Sequence, residues 1–471
     1  MLQAGTRLNC RPDYGFVWFF YMIDLSLLSK YNYNGPRYTS YPTALEFKDN
    51  DDAALLSQAA LKSANTGLSL YIHIPFCHSL CYYCGCNKVV TRHQHKADEY
   101  LNYLENEIAS RAPDFSHSTV TQVHLGGGTP SFLTLEQHKR LIRILNIHFN
   151  LPGDTQMSIE ADPRKINKDY IKGLAALGYS RLSIGVQDTD YRVQEAINRV
   201  QSTAHIHELM CAARESGFSS VNLDLIYGLP YQSTETFSVT LAAVKALSPE
   251  RISLFSYAHL PSRFAAQRRI KDEWLPDAAL KSRLMSQAIL SLTRIGYTMI
   301  GMDHFARADD ELAIAQRERV LHRNFQGYTT RGDLDLLGLG LSAISSIGDT
   351  YGQNPKNLSA YYASVTNGTN LTVKARRLSF EDRLRREIIQ ALMCNLEISI
   401  TAIASQFEID FTRHFASEMQ RLMPFVEDGL VAVTPTHIRV APRARLLVRA
   451  VAMCFDAYIN HDHRERYSRV I

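Results

Sequence analysis

Four of the chain's eight cysteines fall within ten positions, in the stretch CHSLCYYCGC from Cys77 to Cys86. Thiols this close together could form a disulfide staple, close a zinc site or hold an iron–sulfur cluster. A staple requires an oxidising compartment, and nothing in the chain indicates export. Zinc could draw on Cys77, Cys81, Cys84 and Cys86, but structural zinc sites usually pair two knuckles far apart in sequence, and Cys84-x-Cys86 makes a cramped second one. A cluster needs only thiolates. The C-x3-C-x2-C spacing of Cys77, Cys81 and Cys84 lets one loop wrap a cubane and leave its fourth iron open, as a catalytic metal site must be. Spacing alone favours iron–sulfur over zinc and leaves both standing.

Other chemistry-bearing residues recur at regular places. From about residue 69, short β-branched runs alternate with amphipathic helical stretches, which predicts parallel strands joined by crossover helices. The runs are SLYIHI from Ser69, TQVHL from Thr121, QMSIE from Gln156, RLSIGV from Arg181, VNLDLI from Val221 and ISLFSY from Ile252. HKADEYLNYLENEIASR from His95 and TLEQHKRLIRILNIHF from Thr134 carry apolar residues at the three-to-four spacing of helices that cover a sheet. Gly178-Tyr179, Gly217-Phe218 and Gly296-Tyr297 each read as a glycine-capped helix end. Six βα units predict an incomplete barrel open at one side. Active sites of such sheets form at the C-terminal strand ends. Those ends carry the cysteine loop, Gly126-Gly127-Gly128-Thr129-Pro130, Glu160 and Asp162, Gln187 and Asp188, Asp224, and Ala258-His259. One rim collects most of the candidate chemistry.

After about residue 375 the pattern becomes helical, with EDRLRREIIQALMC from Glu381, RHFASEMQRLMPFV from Arg413, a hairpin-like GLVAVTPTHIRVA from Gly429 and a final helix. This predicts a winged-helix-like domain. From Leu371 onward 15 Lys and Arg face 12 Asp and Glu, and the whole chain carries a net +4, too little for a nucleic-acid footprint. A covering or packing role fits better. The apolar run GFVWFFYMIDLSLL from Gly15 is broken by Asp24 and is shorter than the ~20 residues of a membrane span. It also lacks a signal-peptide cleavage pattern and reads as a buried N-terminal segment, with Met22 as an alternative start. The scattered Cys10, Cys211, Cys394 and Cys454 read as structural thiols.

The cysteine motif followed by GGGTP resembles the radical S-adenosylmethionine (SAM) superfamily. More narrowly, NGPRYTSYPT, CHSLCYYCGCNK, HLGGGTPSFL, SIEADPR, SIGVQD, NLDLIYGLP, FSYAHLP, GMDHFA, HRNFQGYTT and LGLGLSAISSIG resemble the oxygen-independent coproporphyrinogen III oxidase family, from about Lys30 to Ile471. The resemblance implies an α/β fold, an incomplete (βα)6 TIM-like barrel of the radical SAM type. It assigns 1–29 to an atypical extension, 30–68 to a substrate-covering segment, 69–300 to the barrel, 301–374 to a flanking segment that completes the SAM site, and 375–471 to the C-terminal domain.

By resemblance, Cys77, Cys81 and Cys84 hold one 4Fe-4S cluster, and Cys86 is not a ligand. Two SAM molecules are implied, the first contacted by Tyr71, Tyr83, Gly127, Glu160 and Ile344, the second by Gly128, Thr129, Gln187, Arg199, Asp224 and Ala258. The implied reaction is the oxidative decarboxylation of two propionates of coproporphyrinogen III to vinyl groups, giving protoporphyrinogen IX through a 5′-deoxyadenosyl radical. Arg37, Arg268 and Arg323 are candidates for the propionates. A flavodoxin or ferredoxin system as electron donor, a cytoplasmic location, a monomeric state and no nucleic-acid partner complete the expectation. Rival readings are a haem-trafficking relative without turnover and a zinc-containing nucleic-acid-binding protein. The chain departs from the family in its first twenty-odd residues and at Leu125, where an aromatic is common.

Overall fold

The computed structural model describes residues 25–459 together with Tyr467 and Arg469. Each β-branched run becomes a strand within two residues of its expected limits: Gly67–Ile74 (β1), Thr119–Gly127 (β2), Gln156–Ala161 (β3), Tyr179–Gln187 (β4), Ser220–Tyr227 (β5) and Arg251–Ser256 (β6). They pair in parallel and in chain order. Most side chains of β1 are buried whichever face they point to, as expected of a parallel strand inside a sheet covered on both faces.

The helices follow from their local sequence. His95–Arg111 buries Ala97, Tyr100, Leu101, Leu104 and Ile108 on one stripe. Leu135–His148 starts at a reciprocal capping box between Thr134 and Gln137. Gly178, Gly217 and Gly296 have φ of 95°, 89° and 95°, the left-handed conformation that glycine adopts without a Cβ penalty. The C-terminal ends of all six strands therefore point to the same side.

The sheet extends beyond the expected six strands. Asp335–Leu339 pairs in parallel with β1, and Ile344–Ile347, Thr350–Gln353, Lys374–Arg377 and Lys48–Asp49 continue outward in antiparallel fashion. On the other side His304–Arg307 pairs antiparallel with β6, and Tyr297–Gly301 pairs with it in turn. The 301–374 segment, expected to flank the barrel and complete the SAM site, thus also extends its sheet. A buried carboxylate locks it there. Glu107 is fully buried and accepts from Gly340 N (2.8 Å), Asn354 Nδ2 (2.7 Å), Tyr361 Oη (2.7 Å) and Arg111 Nε (3.2 Å).

Phe380–Asn395 begins at a capping box between Ser379 and Asp382. The stretch expected as one helix from Arg413 is two, Phe411–His414 and Ala416–Glu427, because the chain turns at Phe415 to bury its ring. Glu397–Ser399, His437–Val440 and Val431–Val433 form the small antiparallel wing. The second hydrophobic core joins this region to Leu28, Tyr31, Tyr38 and Tyr41, with Tyr31 stacked on Phe425 at 4.3 Å. Most of the GFVWFFYMIDLSLL run lies outside the described residues, but Leu28 is buried as expected. Cys394 and Cys454 are buried, Cys211 is partly exposed beside His207, and Cys10 lies outside the described residues. No helix among the described residues is long and apolar enough to cross a membrane.

Candidate active site

At the C-terminal ends of β1 to β6 lies a cavity of about 240 Å³. Cys77, Cys81, Tyr83, Cys84, Gly127, Gly128, Thr129, Glu160, Gln187, Arg199 and Asp224 all line it, and Cys86 stands at its exposed lip. Tyr71, Ala258 and Ile344 do not line it. Tyr71 stacks on His124 at 5.9 Å, beside Glu160, and the Ala258 carbonyl accepts from Gln267 Nε2 (3.2 Å), which also holds the Tyr83 carbonyl (2.9 Å). Ile344 lies on an added strand against Phe47, Tyr351 and Leu378.

The glycine run lets the β2 end sit against β1. A Cβ on Gly127, whose φ is 115°, would fall 2.5 Å from the His73 ring, and one on Gly128 would fall 2.5 Å from the Pro75 carbonyl oxygen. Gln187 takes φ 69°, rare for a residue with a Cβ, and its buried Oε1 has no partner. Strain and an orphaned acceptor together mark a position shaped for a ligand.

The three thiols differ in environment. Burial pushes the Cys77 thiol up to about 11, opposed by a contact from Thr129 Oγ1 at 3.2 Å. Cys84 is drawn down to about 6, first by the Cys86 thiol beside it, against its burial, and then by Lys88. Cys81 Sγ receives Arg164 Nη2 and Arg199 Nη1, each at 3.3 Å. Both arginines also bind Asp162. Burial would raise the Asp162 carboxyl, but the Arg199 charge and the Arg164 hydrogen bonds outweigh it and hold the group at about 2. Asp224 is pushed up to about 6 by burial and then by the charge of Glu160, although Ser183 and Asn222 donate to it.

A second cavity of about 390 Å³ fills the barrel lumen and shares Glu160, Asp224 and Phe255 with the first. Its lining is polar for a barrel interior, with His124, Ser158, Ser183, Asn222 and Ser253 along the strands. Arg181 and Arg251 meet Glu311 at the far end (2.6 and 3.0 Å). His304 faces this lumen with Nδ1 on Asp303 (2.8 Å), and burial pushes its imidazole below its ordinary value, against the pull of that carboxylate.

Of the three arginine candidates, Arg37 pairs with Asp303 and lies 5.7 Å from the Phe255 ring, close to the lumen. Arg323 is buried over Tyr328 at 4.6 Å, with Nε and Nη1 lacking partners. Arg268 is exposed and donates to the Pro261 carbonyl, and none of the three side chains lines either cavity. The motifs SIEADPR and GMDHFA contain Arg164, Asp303 and His304, but sequence could not show which groups they meet.

Among the described residues no three His, Cys, Asp or Glu side chains converge on a point suited to a single metal ion. Cys77, Cys81 and Cys84 instead share a cavity wall, with two cationic donors on the Cys81 sulfur, which suits a negatively charged group of several atoms. Residues 71–244 match the radical SAM superfamily, and residues 378–447 match the HemN C-terminal domain. The oxygen-independent coproporphyrinogen III oxidase of Salmonella typhimurium is 52% identical over 95% of this chain and 98% of its own length. The Synechocystis protein of that name is 43% identical over 94% and 97%. The solved Escherichia coli coproporphyrinogen III oxidase (HemN), described as a radical SAM enzyme, superposes with a TM-score of 0.90 at 50% identity, covering 93% of this chain and 100% of that one. The chain therefore belongs to the oxygen-independent coproporphyrinogen III oxidases, oxidoreductases of the radical SAM superfamily.

Proposed function

We propose that the protein converts two propionate side chains of coproporphyrinogen III to vinyl groups without oxygen, giving protoporphyrinogen IX. The observation that carries this reading is the single cavity shared by Cys77, Cys81 and Cys84 with the glycine run, Glu160, Gln187, Arg199 and Asp224. Those three cysteines would hold a 4Fe-4S cluster, with Cys86 outside the ligand set. When bound, the cluster and SAM supply a 5′-deoxyadenosyl radical that takes a hydrogen atom from a propionate β-carbon. Loss of CO₂ and transfer of one electron to an external one-electron acceptor would then leave the vinyl group, so each arm would give up one hydrogen atom, one CO₂ and one electron.

The chain's own residues bind and orient. Gly127 and Gly128 bring main chain close to a ligand with no side chain between. Glu160 and Asp224 offer acceptors to ribose hydroxyls or an amine, and Gln187 offers a buried unpaired carbonyl. We assign Tyr71, Tyr83 and Ile344 to the first of two SAM molecules and Thr129, Arg199 and Ala258 to the second. The strand ends and the cysteine loop wall the site and would limit water around a reactive radical. Arg323, with two unpaired buried donors beside the lumen residues Asn324 and Tyr328, and Arg37, against the lumen residue Phe255, are the candidates for a substrate carboxylate. The reading extends to a low-potential donor of the flavodoxin or ferredoxin class, a cytoplasmic setting and a monomer.

Anaerobic reconstitution with iron and sulfide, then reduction and addition of SAM with coproporphyrinogen III, should give a brown chromophore and release two CO₂ per substrate. A chromophore without CO₂ release would favour a haem-trafficking role. Bound zinc and no chromophore would refute the cluster reading.

A further inference from the structure

Cys81 differs from its two companions in taking hydrogen bonds from two guanidinium groups. Cys77 has a hydroxyl at 3.2 Å, and Cys84 has the Cys86 backbone N–H at 3.4 Å. Arg199 lines the cofactor cavity, so a ligand there can engage it directly. Arg164 does not line that cavity and reaches the sulfur from behind.

Its hold is complete. Arg164 sits in the turn Pro163–Lys165 that follows β3, and Asp162 caps that turn by accepting from Arg164 N at 3.1 Å. The same carboxylate takes Arg164 Nε (2.9 and 3.1 Å) and Nη2 (2.6 Å), and the Asn198 carbonyl takes Nη1 (2.9 Å). Cys81 is buried, and the Arg164 side chain is 15% exposed. A guanidinium fixed on three sides and aimed at a buried sulfur is a permanent positive charge in a poorly screened place.

We infer that Arg164 is a positioning residue for the three-cysteine site, raising the reduction potential of the cluster through its Nη2–H···Sγ bond to Cys81. This rests on Cys77, Cys81 and Cys84 being the ligands. One added electron makes a thiolate-bound cluster more negative, and a hydrogen bond or cation at a ligand sulfur stabilises that form more than the oxidised one. The consequence is that a weaker reductant can load the site.

The test is an electron paramagnetic resonance redox titration of the reconstituted full-length protein, without substrate, comparing wild type with Arg164→Met, Arg164→Lys and Lys165→Met. Lys165 is the exposed neighbour and controls for charge alone. At the potential where wild type is half reduced, the reduced-to-oxidised ratio in Arg164→Met should be at least tenfold lower, about 59 mV for one electron. Arg164→Lys should fall between, and Lys165→Met should match wild type. An unchanged half-reduction potential in Arg164→Met at wild-type iron content overturns the inference, as does an equal shift in Lys165→Met. If Arg164→Met cannot retain iron, an unchanged potential in iron-replete Arg164→Lys overturns it instead. Wild type that takes up no cluster refutes the ligand assignment rather than the role of Arg164.

Discussion

Glu107→Gln tests whether one buried carboxylate holds the added strand Asp335–Leu339 against β1. The wild-type oxygens accept four donors: Arg111 Nε and Asn354 Nδ2 on one, Gly340 N and Tyr361 Oη on the other. Glutamine keeps the shape but turns one oxygen into an NH₂ group facing two donors. Each buried donor left unpaired costs roughly 1–3 kcal/mol, so two cost about 2–6 kcal/mol. Tyr361 can rotate its hydroxyl to accept, which places the expectation near the lower half of that range, about 3 kcal/mol. Local opening of the 335–345 segment then becomes roughly 100-fold more frequent, at 1.36 kcal/mol per tenfold. Hydrogen–deuterium exchange of peptides covering that segment reads this directly. Glu105→Gln, on the same helix but partly exposed, is the control. Acceleration below threefold with both variants folded would show that packing, not the carboxylate, fixes the strand.

Other perturbations bear on the cavity itself. Cys84→Ser should abolish iron binding after anaerobic reconstitution while Cys86→Ser retains it; iron loss in both would refute the ligand set. The Asp224 carboxyl titrates higher in the folded chain, at about 6 against 3.8, so its contribution is fully present below pH 3.8 and is lost as pH rises through 6. Asp224→Asn should therefore gain up to roughly 3 kcal/mol over wild type at pH 8 relative to pH 4, less what its altered hydrogen bonds cost; a melting-temperature difference independent of pH would contradict this. Gly128→Ala drives a methyl to 2.5 Å from the Pro75 carbonyl and should weaken SAM binding by about tenfold or more in equilibrium dialysis, whereas unchanged affinity would show that the β1 end yields freely. Arg323→Met removes a buried cation with two unpaired donors, so the KM for coproporphyrinogen III should rise about tenfold without loss of melting temperature; unchanged KM would place the propionates elsewhere.

The barrel was legible because period and punctuation agree. β-branched runs mark β1 to β6, Gly178 and Gly217 mark the ends of two helices between them, and Gly296 marks the end of the helix that follows β6. The added strand was not legible, because DLLGL carries Gly338 and is strand only where the edge of β1 supplies its partner. Gly338 is needed there, since a Cβ would lie 2.4 Å from the Ile344 carbonyl oxygen. The cysteine loop and the glycine run announced themselves by spacing. Arg164 did not, because its meeting with Cys81 depends on two loops that approach only in the fold, tied through the Asn198 side chain to the Leu80 carbonyl and through the Asn198 carbonyl to Arg164.

The pairing of Leu68 with Asp335 spans 267 positions of sequence. At about 5–20 residues per second, the ribosome needs on the order of 13–53 s to deliver the partner after β1 has emerged. Throughout that interval the strand leading into the cysteine loop presents an open row of amides and carbonyls, a template for pairing with another nascent chain. Until residue 339 is made, the strand that leads into the cysteine loop is paired on its β2 side alone.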